Sequence, residues 1–77
     1  MKIKILPFGK IADILSPQDW DAAGAETAGA LRRQLEAKFP DLKGMHYLLA
    51  VDKKITNEDS QLQEWSTVAL LPPFSGG

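Results

Sequence analysis

Polar and apolar residues alternate strictly at the start of the chain, Lys2-Ile3-Lys4-Ile5. This is the period of a strand with one face on a core. It predicts a strand over Lys2–Phe8 with Ile3 and Ile5 turned inward. Leu6 breaks the alternation, Pro7 removes a donor near the strand's end, and Phe8 lies beyond it facing outward. From Gly9 to Ser16 the apolar spacing lengthens to i, i+3, i+4 at Ile11, Ile14 and Leu15, which predicts one or two helical turns stopped at Ser16-Pro17. Residues Gln18 to Gly24 have no clear period. Asp19, Asp21 and Gly24 argue against a strong strand, while Trp20 needs somewhere to pack, so a short, weakly paired strand is expected.

Thr27 is a good N-cap, and a helix is predicted from Ala28 to Lys38 or Phe39, where Pro40 ends it. Ala28, Leu31, Leu35 and Phe39 share one face, while Arg32, Arg33, Glu36 and Lys38 occupy the solvated side, with Arg32 and Glu36 at pairing distance of i, i+4. A single amphipathic helix must lay its stripe on something else, here a sheet. Tyr47-Leu48-Leu49-Ala50-Val51 reads as an apolar strand, Asp52-Lys53-Lys54 as a turn and Ile55-Thr56 as a short return strand. Asn57 to Ser60 is polar loop, Leu62 is a core plug, and Thr67 to Leu71 is the last strand. The fold class is therefore α+β, one domain over residues 1–77 with a flexible tail over 72–77.

Composition narrows the functions. At 77 residues the core is small. Cysteine is absent, so there is no disulfide framework and no thiol nucleophile, which fits a reducing compartment. One histidine, His46, does not build a metal site. Asp13, Asp19 and Asp21 lack the spacing of a calcium loop, and Arg32 and Arg33 read as a solvated helix face rather than a phosphate grip. Nine basic against ten acidic residues, without a basic block, argue against nucleic acid. No apolar run approaches a membrane span and no signal peptide is apparent, so a cytoplasmic protein with no bound cofactor and no metal is expected. No nucleophile and base can be assembled into a triad.

The remaining stretch is Pro72-Pro73-Phe74-Ser75-Gly76-Gly77. Two prolines end the last strand and stiffen the path out of the fold. Six extended residues reach at most roughly 20 Å, enough to enter another protein's active site. A closing glycine leaves its carboxylate unshielded, and a preceding glycine lets backbone enter a narrow channel. Leu70 and Leu71 are consecutive, so one faces the helix and the other the open sheet face. With Phe8 and Phe74 they form a candidate docking patch at the tail's root, or else complete a small core.

Val68-Ala69-Leu70-Leu71-Pro72-Pro73-Phe74-Ser75-Gly76-Gly77 resembles the C-terminus of the small subunits of molybdopterin synthase, within the ubiquitin-like sulfur carriers. The similarity extends to the opening Lys2-to-Gly9 strand, the Thr27-to-Pro40 helix and the Leu49-to-Asp52 strand and turn. It implies a ubiquitin-like β-grasp: a mixed sheet with its first and last strands adjacent and parallel, and one long helix across one face. It also implies a sulfur-donating subunit that is no catalyst alone. An E1-like adenylyltransferase uses ATP to adenylate Gly77, and a sulfur-donating enzyme supplies the sulfur that replaces AMP to give a thiocarboxylate. The large subunit of molybdopterin synthase then receives the tail in a heterotetramer, where sulfur passes to cyclic pyranopterin monophosphate. In that scheme Gly77 carries the sulfur, Gly76 and Ser75 thread the channel, and Phe8, Leu70, Leu71 and Phe74 bind the partner. Gln63-Glu64-Trp65-Ser66 departs from the glycine-containing acidic turn common in the family, and Pro17 to Glu26 matches poorly. A carrier for thiamine or tRNA thiolation, a ubiquitin-like modifier joined through Gly77 to lysines, and an interaction module with an idle tail remain as alternatives.

Overall fold

A computed structural model describes residues 1–73. Its five strands form one mixed sheet: β1 (Lys2–Pro7), β2 (Gln18–Asp21), β3 (Leu48–Val51), β4 (Lys54–Ile55) and β5 (Thr67–Leu71), in the order β2-β1-β5-β3-β4. One helix, α1 (Ala28–Lys38), supplies the other layer. β1 and β5 are parallel neighbours at the centre, with Ile5 opposite Val68 and Pro7 opposite Leu70. The remaining pairings are antiparallel. This is the ubiquitin-like β-grasp expected from the sequence.

The core lies between helix and sheet. Ile3, Ile5, Val68 and Leu70 are fully buried from the two central strands, Leu31 and Leu35 from α1, and Ile11 and Leu42 from the connections. The period-2 pattern of β1 therefore does what it predicts, because Lys2 and Lys4 stay exposed while Ile3 and Ile5 go in. Leu62 is 6% exposed and plugs the core beside the bridge between Thr27 and Gln61.

Helix α1 begins and ends where its caps predict. The Thr27 hydroxyl oxygen accepts from the Ala30 N–H at 3.2 Å, and the chain leaves the helix at Phe39, before Pro40. Two further amides of the first turn are satisfied from outside: Ala28 N–H donates to Ser60 O at 2.9 Å, and Gly29 N–H to Glu58 O at 3.0 Å. The polar loop after β4 is thus part of the helix's N-terminal cap.

Several elements differ from expectation. The segment after β1 is a 3₁₀ helix over Gly9–Asp13, which buries Ile11 and leaves Ile14 and Leu15 to pack beyond it. A second 3₁₀ helix, Pro40–Gly44, was not predicted and buries Leu42. The weak second strand is well paired, because Trp20 stands opposite Ile3 and reaches the helix. Its ring lies 6.2 Å from that of Phe39, and its Nε1–H donates to Gln34 Oε1 at 3.1 Å. Lys4 faces Asp19 and Lys2 faces Asp21 on the other side of that pair, so unlike charges are opposed. The expected Arg32–Glu36 pairing on a solvated face is replaced by contacts to other elements. Arg32 is half-buried, its Nη1 lies 3.5 Å from Glu58 Oε1, and its guanidinium sits 5.3 Å from the Tyr47 ring centre. Glu36 Oε2 accepts from the Tyr47 hydroxyl at 2.6 Å.

The β3–β4 turn is tighter than expected. Asp52 and Lys53 both have positive φ, 50° and 74°, the signature of a two-residue turn whose twist suits a hairpin. The Asp52 carboxylate earns this conformation by accepting from the Thr67 N–H at 3.0 Å, which ties the hairpin to the start of β5.

Two outcomes follow for stability. Gly29→Ala should destabilise despite the better helix propensity of alanine. The added Cβ would stand 2.9 Å from Glu58 Cβ and 3.1 Å from Glu58 O. Overpacking of about 1–3 kcal/mol outweighs a propensity gain of about 1 kcal/mol, so the urea midpoint should fall. Tyr47 gives a pH effect. Burial first, then its hydrogen bond to Glu36 and that carboxylate's charge, push its hydroxyl well above the ordinary value of 10.0. The folded state then holds a proton that the unfolded chain releases, so stability falls as pH rises above 10.0. Tyr47→Phe should remove this component, leaving a shallower decline in midpoint across the same alkaline range.

Candidate functional site

Candidate residues gather at the end of β5 where the tail begins. Within β5, Val68 and Leu70 face the core, while Thr67, Ala69 and Leu71 are half-buried on the other side. The sequence left Leu70 and Leu71 both open as partner contacts. Leu70 is 0% exposed, so it is corrected to a core residue, and Leu71 takes the open face. Phe8 continues the extended backbone of β1, with φ −127° and ψ 158°, and its N–H donates to Leu70 O at 3.0 Å. By alternation from Leu6 it lies on the same face as Leu71. It is 47% exposed, as its position beyond Pro7 predicted. Phe74, Ser75, Gly76 and Gly77 lie outside the described residues.

Register extends this surface beyond the residues singled out from sequence. Leu71 stands opposite Leu48, Ala69 opposite both Leu6 and Ala50, and Ala50 opposite Ile55. All lie on the face away from α1. Ala50 is only 5% exposed yet is not part of the main core cluster, as expected for a residue covered by its neighbours on the open face. Leu48 is 38% and Ile55 61% exposed. The open face thus divides into an apolar half, over the end of β1, β5, β3 and β4, and a charged half carrying Lys2, Lys4, Asp19 and Asp21. An apolar area with a polar border of this kind is a candidate interaction surface. The signal for Leu48 was present in the sequence: Leu48-Leu49-Ala50-Val51 is apolar throughout, and only alternate residues can reach the core.

Beside this face, Gly9, Lys10, Met45, His46, Pro72 and Pro73 line an open groove of about 500 Å³. Gly9 has φ +59°, and a Cβ there would stand 3.0 Å from Pro72 Cγ. Pro72 is half-buried and Pro73 exposed, so the chain rises out of the fold between these two residues. Trp65 belongs to another region. It sits in the Gln63–Ser66 turn with φ +62°, at a position that favours glycine, and is 50% exposed at the end of the sheet where β5 begins. It neither covers the core nor touches the tail's root.

Among the described residues, no three His, Cys, Asp or Glu side chains are grouped as metal ligands, and no helix is long and apolar enough to cross a membrane.

The ThiS family matches residues 5–77. The chain belongs to the ThiS family. Solved structures repeat the fold at low identity. The putative molybdopterin converting factor, subunit 1, of Pyrococcus furiosus superposes with a TM-score of 0.85 at 14% identity, covering 94% of this chain and 97% of that one. SAMP1 of Haloferax volcanii gives 0.81 at 19% identity with both chains fully covered. The small archaeal modifier protein 1 of Methanosarcina acetivorans gives 0.79 at 15%, covering 99% of this ThiS-family chain and 96% of its own.

Truncation should cost very different amounts at Leu70 and at Phe8. Leu70→Ala removes a fully buried side chain and should cost about 2–5 kcal/mol. Phe8→Ala should cost less than about 1 kcal/mol, since half its surface is already in water. Urea titrations of the two variants check this; equal losses would place Phe8 in the core.

Proposed function

We propose that this ThiS-family chain is a sulfur carrier and, within that class, the small subunit of a molybdopterin synthase. The observation that carries the reading is the placement of the Pro72-Pro73 stop. β5 is anchored by Val68 and Leu70 in the core, and its end adjoins the apolar half of the open face. The sequence then continues Phe74-Ser75-Gly76-Gly77, a length and composition suited to entering a channel in a partner. The fold presents the tail; the catalytic groups belong to the proteins that receive it.

The chemistry explains why activation is needed. A carboxylate is a poor electrophile. In the proposed cycle a Gly77 carboxylate oxygen attacks the α-phosphorus of ATP on an E1-like activating enzyme, releasing pyrophosphate and forming an acyl-adenylate. Sulfur at the oxidation level of sulfide, supplied by a donor enzyme, then adds to the acyl carbon and expels AMP, leaving the thiocarboxylate. The large subunit binds the open face through Phe8, Leu71 and Phe74, with Gly76 and Ser75 inside its channel, and the sulfur passes to the pterin precursor. The double proline before the tail favours this acceptor over those of thiamine or tRNA thiolation.

A second reading, a protein modifier joined through Gly77 to lysine amines, draws on the likeness to the archaeal modifier structures. Both readings share the adenylate and part at the nucleophile, sulfur or amine.

Intact-mass analysis separates them. After incubation with the cognate activating enzyme, ATP and a sulfur donor, the chain should gain the mass difference of one oxygen replaced by one sulfur. Removing Gly77, or adding a residue after it, should abolish the gain while leaving the melting curve unchanged. A thiolated deletion variant would sink the carrier reading. Adducts to lysines of other proteins, without a stable thiocarboxylate, would favour the modifier.

A further inference from the structure

The contact between Gly9 and Pro72 lies at the base of the tail, and each partner is held from behind. On one side, Phe8 N–H is bonded to Leu70 O at 3.0 Å, and Ile11 N–H returns to Phe8 O at 3.2 Å. Ile11 is fully buried. The backbone at Gly9 is therefore clamped between the end of the central strand pair and a core anchor, and its φ of +59° makes the corner from β1 into the 3₁₀ helix. On the other side, Leu71 is still in register with Leu48, and Pro72 follows with its own φ fixed by its ring. Pro72 and Pro73 form one wall of the groove whose other walls include Gly9, Met45 and His46. The two clamped segments meet where a glycine Cβ would stand 3.0 Å from Pro72 Cγ and 3.6 Å from Pro72 Cδ. A side chain at position 9 would thus do more than strain the corner. At that distance the proline ring must give by a few tenths of an ångström, and the first fixed step of the path out of the fold moves with it.

We propose that Gly9 is a positioning residue: its bare backbone seats Pro72, and this seat sets the direction in which the tail leaves the domain. The inference rests on the sulfur-carrier reading for its consequence in catalysis, but the seat itself is a property of this chain alone. A tail that must bring Gly77 to a reacting phosphorus gains from a fixed starting direction, because ordering a chain that starts in many directions is an entropic cost borne at every encounter. The docking face fixes the domain on its partner; the Gly9–Pro72 seat fixes where the tail starts relative to that face.

Gly9→Ala tests this in the full chain, with Gly9→Asn as its companion. Asparagine tolerates positive φ better than most residues, so it keeps the corner and still places a Cβ against Pro72. In the wild type, nuclear Overhauser contacts between the Gly9 α-protons and the Pro72 ring should be present, and in both variants these α-proton contacts should weaken as the ring shifts to make room for the Cβ. In ATP–pyrophosphate exchange with the cognate activating enzyme, both variants should lower kcat by at least about tenfold. KM should change less than kcat, because neither substitution alters a side chain of the open face. In a Pro72→Ala background, which already lacks the ring, adding Gly9→Ala should cause little further loss in kcat. The proposal is overturned if either variant keeps wild-type kcat, or if Gly9→Ala lowers kcat equally with and without the Pro72 ring. The latter result would assign the effect to backbone strain alone, which the melting curves would report in both backgrounds. If the wild-type chain supports no exchange, the carrier reading fails, and the seat stands or falls on the magnetic-resonance contacts and their weakening.

Discussion

Parallel pairing of β1 with β5 brings the two ends of the sequence into the middle of one sheet. Lys4 lies beside Thr67 and Pro7 beside Leu70, so almost the whole chain must be accommodated between neighbouring strands. No tight turn can join parallel neighbours, and the connection has to leave the sheet, cross one face as a helix and return. The helix buries its stripe on that crossing. β3 and β4 extend the sheet on the β5 side, and β2 extends it on the β1 side. The pairing is non-local, so its loop-closure entropy is met late by burial of Ile3, Ile5, Val68 and Leu70.

This topology also explains why one sheet face is left over. A single helix covers one face, and the other carries Leu6, Leu48, Ala50, Ile55, Ala69 and Leu71 with no second layer among the described residues. In a larger domain these positions would be roofed by further helices. Here they adjoin Pro72, so the surface least suited to water lies beside the point where β5 ends.

Much of the fold was readable because its strongest elements are governed by local chemistry. Thr27 and Pro40 bound α1, and strict alternation placed Ile3 and Ile5 in the core. What was underrated or missed depended on distant partners. Gln18–Asp21 was expected only as a short, weakly paired strand; its firmness comes from its pairing with β1 and from Trp20 reaching Gln34 and Phe39. Arg32 was assigned to water because its partners, Glu58 and Tyr47, lie on other elements. The site was legible in the same uneven way. Phe8 followed from its place after Pro7, and the Leu70–Leu71 alternation was clear, but choosing between the two leucines needed the register. Ile55 joins the surface only through its pairing with Ala50, and Gly9 gains a role only from the ring that lies over it.

The direction of β1 has a practical side. Because it runs parallel to β5, the chain enters the sheet at the pole opposite the one where β5 releases it. The Met1 amine, 3.9 Å from Asp21 Oδ1, stands by the Trp65 turn, a strand's length from Pro72. A label, an affinity handle or a whole fused domain joined ahead of Met1 would project away from Pro72 and from the apolar half of the open face. The molecule can therefore be immobilised by its front end with the far pole of the sheet, where β5 ends, left accessible.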